Sequence, residues 1–183
     1  MNVRYIITKG KSGTEVPQRN PYANGPAWFV ENVMIVENAN EELLLLDSLD
    51  TKNTAIIHRE FSEKLPLENI QGDLTATIKL KSHAPNHLVY ESSTVSPQLA
   101  LFSEAYYSNG WNAYIDGQPV THFRANYILR AMKIPEGNHT IEYKFEPEVV
   151  ATGSKISLAT SILFLLVLLG AIFYNYRKKR NAH

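Results

Sequence analysis

From Ile156 to Tyr176 the chain reads ISLATSILFLLVLLGAIFYNY, without one charged side chain. About twenty helical residues, rising ~1.5 Å each, match the ~30 Å hydrocarbon core of a bilayer. Arg177, Lys178, Lys179 and Arg180 follow at once, and Tyr174 and Tyr176 stand where an aromatic belt meets lipid headgroups. A buried core helix is the competing reading, but such helices are usually shorter and seldom end in a block of like charge. The pattern predicts a transmembrane helix over residues 151–176, with Ile156 and Leu165 among its anchoring residues, and a basic tail over 177–183.

Lys and Arg collect on the cytoplasmic side of membrane helices, so the tail is expected inside and residues 1–150 outside. Up to Lys155 the chain carries 14 basic and 18 acidic residues, a net of −4. An acidic domain without a basic stripe excludes nucleic acid as a partner. There is no cysteine, which rules out a disulfide scaffold and leaves the compartment open. Met1 opens onto Asn2-Val3-Arg4-Tyr5-Ile6-Ile7, with no basic region followed by an apolar export segment. An outward-facing domain then implies upstream transmembrane helices in a parent protein, of which this chain is a fragment. The alternative is a tail-anchored protein with a cytosolic domain.

The first 150 residues read as mainly β. Val3–Thr8 is a strand, Gly10–Gly13 a turn, and Pro17–Pro26 a loop leading to a strand from Ala27 to about Val36. Asn38 caps one short helix, with Glu41 three residues on and Leu43–Leu49 as its apolar side. Thr54–Ile57 is extended. Leu74, Ala76, Ile78 and Leu80 alternate with Thr75, Thr77, Lys79 and Lys81, the mark of a half-buried strand. Further strands are expected at Leu88–Ser92, Leu99–Tyr107, Trp111–Ile115, Tyr127–Ile134 and His139–Phe145, with turns at Asp116-Gly117 and Pro135–Asn138. Many short strands with a single early helix predict an antiparallel β-sandwich, followed by the transmembrane helix.

Two groups can carry binding chemistry. Tyr106, Tyr107, Trp111 and Tyr114, with Asp116 nearby, offer flat apolar faces beside a carboxylate, which suits sugar rings. Packing of Trp111 and one tyrosine into the sandwich core is the favoured reading of the same residues. Arg124, Asn126 and Arg130 can hold an anionic headgroup or phosphate, or can be paired with neighbouring carboxylates. His83 and His87 flank Pro85 and share no helical face, so neither a metal site nor a cofactor is expected. No nucleophile elbow, phosphate loop or metalloprotease motif is present, and no catalytic residue is assigned.

The order Tyr106-Tyr107-x-x-Gly110-Trp111, Ile115-Asp116-Gly117, Arg124-Ala125-Asn126-Tyr127, Leu129-Arg130-Ala131 and Ile134-Pro135-x-Gly137-x-His139-x-Ile141-x-Tyr143 resembles the C-terminal region of the YfhO family of bacterial membrane proteins. Asn2-Val3-Arg4-Tyr5 and Asn20-Pro21, ahead of Trp28-Phe29-Val30, look like earlier parts of the same region. The resemblance implies a polytopic inner-membrane protein, similar to GT-C glycosyltransferases that use lipid-linked sugars in the cell envelope. It also implies that the catalytic carboxylates lie in early extracytoplasmic loops, outside this chain. On that reading the partners are the bilayer, the parent's N-terminal membrane region and an envelope glycan. A non-enzymatic, single-pass carbohydrate-binding or scaffolding module is the second reading.

Overall fold

A computed structural model describes residues 2–10, 13–62 and 72–180. The chain divides after Phe145 into a β-rich unit and a helical one.

The β-rich unit opens with a hairpin of β1 (Tyr5–Lys9) and β2 (Glu15–Arg19), which forms a two-stranded sheet of its own. β2 occupies part of the segment expected as loop. Pro17 is tolerated there because a two-stranded ribbon is all edge, so a missing N–H costs no ladder bond on an outer side. Of the expected turn between them, Lys11 and Ser12 lie outside the described residues. The strand expected from Ala27 to Val36 is two: β3 (Ala27–Val30) and β4 (Asn32–Val36), in different sheets. The amides of Glu31 and Asn32 both donate to the Asn53 carbonyl, and this shared acceptor marks the break.

Next comes α1 (Ala39–Leu46). Asn38 Oδ1 accepts from the amides of Asn40 and Glu41, while Glu41 accepts from the Glu37 amide and the Asn38 side chain. This is the reciprocal cap expected from the sequence. The buried side is not the leucine run. Leu43 and Leu44 are exposed, and the one fully buried side chain of α1 is Glu42. β5 (Thr54–His58) then pairs parallel to β4, with α1 as the crossover that parallel pairing requires, and α2 (Arg59–Ser62) adds one short turn.

The remaining strands are antiparallel. They are β6 (Thr77–Ala84), β7 (His87–Thr94), β8 (Gln98–Ala105), β9 (Trp111–Ile115), β10 (Gln118–Val120), β11 (Phe123–Ala125), β12 (Leu129–Ile134) and β13 (Gly137–Phe145). β6 starts later than its alternation suggested: Leu74 lies in a turn and is exposed, while Ile78 and Leu80 pack against the core. Asp116 and Gly117 both have positive φ, as the tight β9–β10 turn demands.

A five-stranded sheet (β10-β9-β13-β7-β6) faces a four-stranded one (β11-β12-β8-β3), which is the expected sandwich. Between them lie Leu88, Tyr90, Phe102, Met132, Ile141 and Tyr143. The four-stranded sheet has a second covered face, where Trp28, Leu99, Leu101, Phe123 and Ala131 meet Ala55 and Ile57 of β5. A sheet buried on both faces needs continuous apolar strands, and β8 supplies one in Leu99-Ala100-Leu101-Phe102. The outer edge of the five-stranded sheet is protected differently. β6 carries Lys79 and Lys81 and breaks register between Leu80 and Ser82, both of which discourage edge pairing.

One turn adds polar clamps to this third layer. Asn126 donates its amide to the Ile56 carbonyl and accepts the Ile56 amide on Oδ1 at 2.8 Å, while the Tyr127 amide donates to Glu42 at 2.5 Å. Both turn residues have positive φ, 47° and 70°, which asparagine tolerates and tyrosine resists.

The second unit is α3 (Glu148–Arg180), with a 26-residue span from Glu148 to Phe173 long and apolar enough to cross a membrane. Ile156 and Leu165 are exposed on it, and Arg177 stacks over Phe173. The helix backbone continues through the expected belt and cationic run. The side chains of Tyr174, Tyr176, Lys178 and Lys179, and residues 181–183, lie outside the described ones.

Asn126→Ala removes the acceptor of a buried amide and the residue best suited to a left-handed turn. It should destabilise the domain by about 2–3 kcal/mol in urea unfolding, whereas Asn126→Asp should cost clearly less.

Candidate functional site

Arg130 sits on the face of β12 that also carries Met132 and Ile134, and so points between the two sheets. It is 3% exposed. Its Nε donates to the Ala105 carbonyl at 2.9 Å, and its guanidinium lies 4.2 Å from the Trp111 ring centre and 5.1 Å from that of Tyr143. Stacking of this kind compensates part of the hydration a buried cation loses. Burial lowers the proton affinity of Arg130, opposed by Tyr143, Glu104 and Tyr90. Among the described residues Nη1 has no hydrogen-bond partner, nor do the hydroxyls of Tyr90 and Tyr143. Burial pushes both phenols above the ordinary tyrosine range.

His122 completes this group. Its ring meets Tyr143 edge-on at 5.4 Å and Tyr106 at 5.5 Å. Burial, and then the charge of Arg130, push its pKa down to about 4. At neutral pH it is an uncharged aromatic.

Phe61 of α2 links this interior to the third layer, touching Tyr106 edge-on at 5.8 Å and lying under Arg124 at 5.6 Å. Arg124 Nη2 is 3.6 Å from Glu42 Oε2, beyond hydrogen-bond range, and its guanidinium stands over the Tyr127 ring at 6.0 Å. Glu42 Oε2, Arg124 Nε and Asn126 Nδ2 are buried without hydrogen-bond partners among the described residues. Arg130 and Arg124 thus stand at the two ends of a run of ring contacts that passes from Tyr143 through His122 and Tyr106 to Phe61.

The five residues expected as a sugar platform do not share one surface. Trp111 is half-buried and faces inward with Ala113 and Ile115, stacked on Phe145 and Arg130. Tyr114 is on the opposite face of β9, under the ammonium of Lys144 at 4.8 Å. Tyr106 is half-buried against His122 and Phe61, and Tyr107 is 54% exposed. Asp116 accepts from the Thr140 amide at 2.8 Å and binds His139 Nδ1 at 2.6 Å, which lowers its own pKa and raises that of His139. Of the two arginines expected to bind anions, Arg130 is enclosed and Arg124 half-buried beside Glu42.

Two further tyrosines, Tyr107 and Tyr127, are exposed where the chain leaves β8 and enters β12. The Tyr106 amide donates to the Ile128 carbonyl at 2.7 Å, placing the end of β8 against the start of β12 with both neighbouring tyrosines exposed. Sequence reasoning missed Glu42, because the second of two adjacent acids in the first turn of a helix reads as part of its wet face. It missed Tyr90 and Tyr143 as polar interior groups because both read as ordinary inward strand residues. His122 carried no signal beyond its neighbourhood to Arg124.

A comparison with family models matches residues 47–157, from before β5 through all the later strands into the first turns of α3, to the bacterial membrane protein YfhO. The chain belongs to the YfhO family. Searches of curated proteins and of solved structures find no match. The matched residues of this YfhO-family chain cover most of the β-rich unit and the start of α3, whose apolar span is long enough to cross a membrane. Arg124, Asn126, Tyr127 and Arg130 all fall inside the matched region.

Two titrations test this geometry. In imidazole NMR, His139 should titrate above the ordinary histidine range and fall back in Asp116→Asn, while His122 should stay neutral to about pH 4. His122 binds its proton more weakly folded than unfolded, so its contribution is intact above about pH 6.5 and is lost as pH falls toward 4. That loss amounts to about 3 kcal/mol. His122→Phe should flatten this acid limb in pH-dependent unfolding. Trp111→Ala should cost on the order of 3 kcal/mol in chemical denaturation, since it removes both core packing and the stack on Arg130.

Proposed function

We propose that the β-rich unit is the extracytoplasmic C-terminal module of a glycosyltransferase-like YfhO protein of the bacterial inner membrane, where it positions an acceptor glycan. Residues 1–150 then lie outside, 151–176 cross the lipid and 177–183 lie in the cytoplasm. The observation that carries this reading is the family match, which runs unbroken from the sandwich into an apolar helix of spanning length. The cations that follow the apolar span favour the orientation.

The exposed rings of Tyr107 and Tyr127, beside the half-buried Arg124, supply the glycan contact. Aromatic faces next to hydrogen-bonding groups are what pyranose rings stack on, and a backbone hydrogen bond from Tyr106 to Ile128 joins the two chain segments that carry them. The module's share is positioning; the bond chemistry belongs to the carboxylates that the family resemblance places outside this chain. A single-pass carbohydrate-binding module would use the same surface without any transferase.

The absence of native cysteine makes topology directly readable. Thr140→Cys should react with a membrane-impermeant maleimide in intact spheroplasts, and Ala182→Cys only after permeabilisation. The reverse pattern would overturn the orientation. Envelope glycan titrated into the detergent-solubilised chain should shift the NMR signals of Tyr107 and Tyr127, and the double alanine variant should weaken binding at least tenfold with unchanged unfolding. No response of either ring to any envelope glycan would remove the positioning role.

A further inference from the structure

The β1–β2 hairpin lies outside both hydrophobic clusters. Of its ten strand residues all but Thr8 are exposed. Residues opposite one another share a face, so Tyr5, Ile7 and Pro17 form one row, with Arg19 at the base and Lys9 opposite Glu15 at the tip. Tyr5 is 58% exposed and Ile7 68%. Ile6 and Val16 are exposed on the other face. An isolated two-stranded hairpin is marginal in water, and one with this much open apolar surface needs a cover.

Its base is built, not loose. Asn2 donates to the Gly25 carbonyl and to Ser103 Oγ and accepts from the Asn24 amide, while Asn20 donates its amide to the Arg4 carbonyl and its side chain to the Val3 carbonyl. Here an open cavity of about 450 Å³ is lined by Arg4, Arg19, Asn20, Pro21, Ala23 and Gly25. Two arginines and no acid are among its lining residues. Neither arginine forms an ion pair among the described residues, although arginine forks are well shaped for phosphate oxygens.

Charge singles out the same segment. Residues 1–22 carry four basic side chains and one acid, whereas residues 23–155 carry ten basic and seventeen acidic ones. The hairpin is a cationic island, net +3, on a body of net −7.

We propose that the hairpin docks on the bilayer surface: Arg4 and Arg19 hold the phosphate of an anionic lipid headgroup, and Tyr5 and Ile7 enter the interface. The inference rests on membrane attachment by α3 and is independent of which side the domain occupies. Aromatic and aliphatic side chains interleaved with basic ones are the composition that partitions to anionic interfaces. The charge contrast steers this segment toward anionic lipid.

The full chain, made as Ile7→Cys and labelled with an environment-sensitive fluorophore, is reconstituted in phosphatidylcholine vesicles and in equal mixtures of phosphatidylcholine and phosphatidylglycerol. In the anionic vesicles the emission should shift to the blue and be quenched by acyl-chain bromine. A label at Thr140→Cys should do neither. Adding Arg4→Gln and Arg19→Gln should reduce the docked-to-free ratio on the order of thirty-fold, and Arg4→Lys with Arg19→Lys should keep most of it. Emission that is equal in both vesicles and unquenched overturns the proposal. So does a blue shift induced by millimolar inorganic phosphate in phosphatidylcholine alone, which marks a free-anion site, or one lost on diluting the protein per vesicle, which marks a second copy.

Discussion

The four-stranded sheet is covered on both faces, and the rest of the domain follows from that. A strand such as β8, with Gln98 to Phe102 all buried, cannot end a two-layer sandwich, because one of its faces would lie bare in water. A third layer is therefore obligatory, and β4, α1 and β5 provide it. This layer contributes Ala55 and Ile57 to the apolar contact, with Val33 and Phe61 packed at its margin. Polar clamps supply the remainder: Asn126 pairing with Ile56 and the Tyr127 amide on Glu42. The left-handed backbone at Asn126 and Tyr127 is the cost of aiming two successive groups at one layer.

The sandwich was legible in the sequence because most of its strands obey a period of two. β9 and β13 carry inward and outward residues in strict turn, and the Asp-Gly pair announces its own hairpin. The third layer was not legible for the complementary reason. Leu99–Phe102 is a continuous apolar run, which marks burial on both sides without naming what covers it. The leucines of α1 misled, since periodicity presumes that the apolar side faces the core, while tertiary contact with Tyr127 and Arg124 turned Glu42 inward instead. The same limit applies to the aromatic residues around Trp111. Their clustering in sequence was visible, but one-residue steps along β9 send Trp111 and Tyr114 to opposite faces, so proximity along the chain did not become proximity on a surface.

Arg130 shows why that inward Trp matters. A buried cation is expensive unless its charge is spread over partners, and here the partners are two ring faces and one carbonyl. Replacing the aromatics by aliphatics of similar size would conserve the packing and remove the stabilisation of the charge. The neutral state of His122 is part of the same balance: a second cation beside Arg130 in this enclosure would add repulsion to desolvation, and its lowered proton affinity reports both.

A freely diffusing protein with the β1–β2 hairpin would carry a hazard. Open strand edges, exposed Ile7 and Tyr5, and little local core form a template for pairing with other copies. Tethering changes the balance in two ways. Confinement to a surface raises the effective concentration of lipid around the hairpin far above that of any soluble partner, so even a weak interfacial preference is expressed. Like charge on neighbouring hairpins then opposes self-pairing, while the same charge favours anionic lipid. Basic residues that would be an ordinary solvated decoration on a soluble sandwich thus act both as the attraction toward the membrane and as the barrier against aggregation.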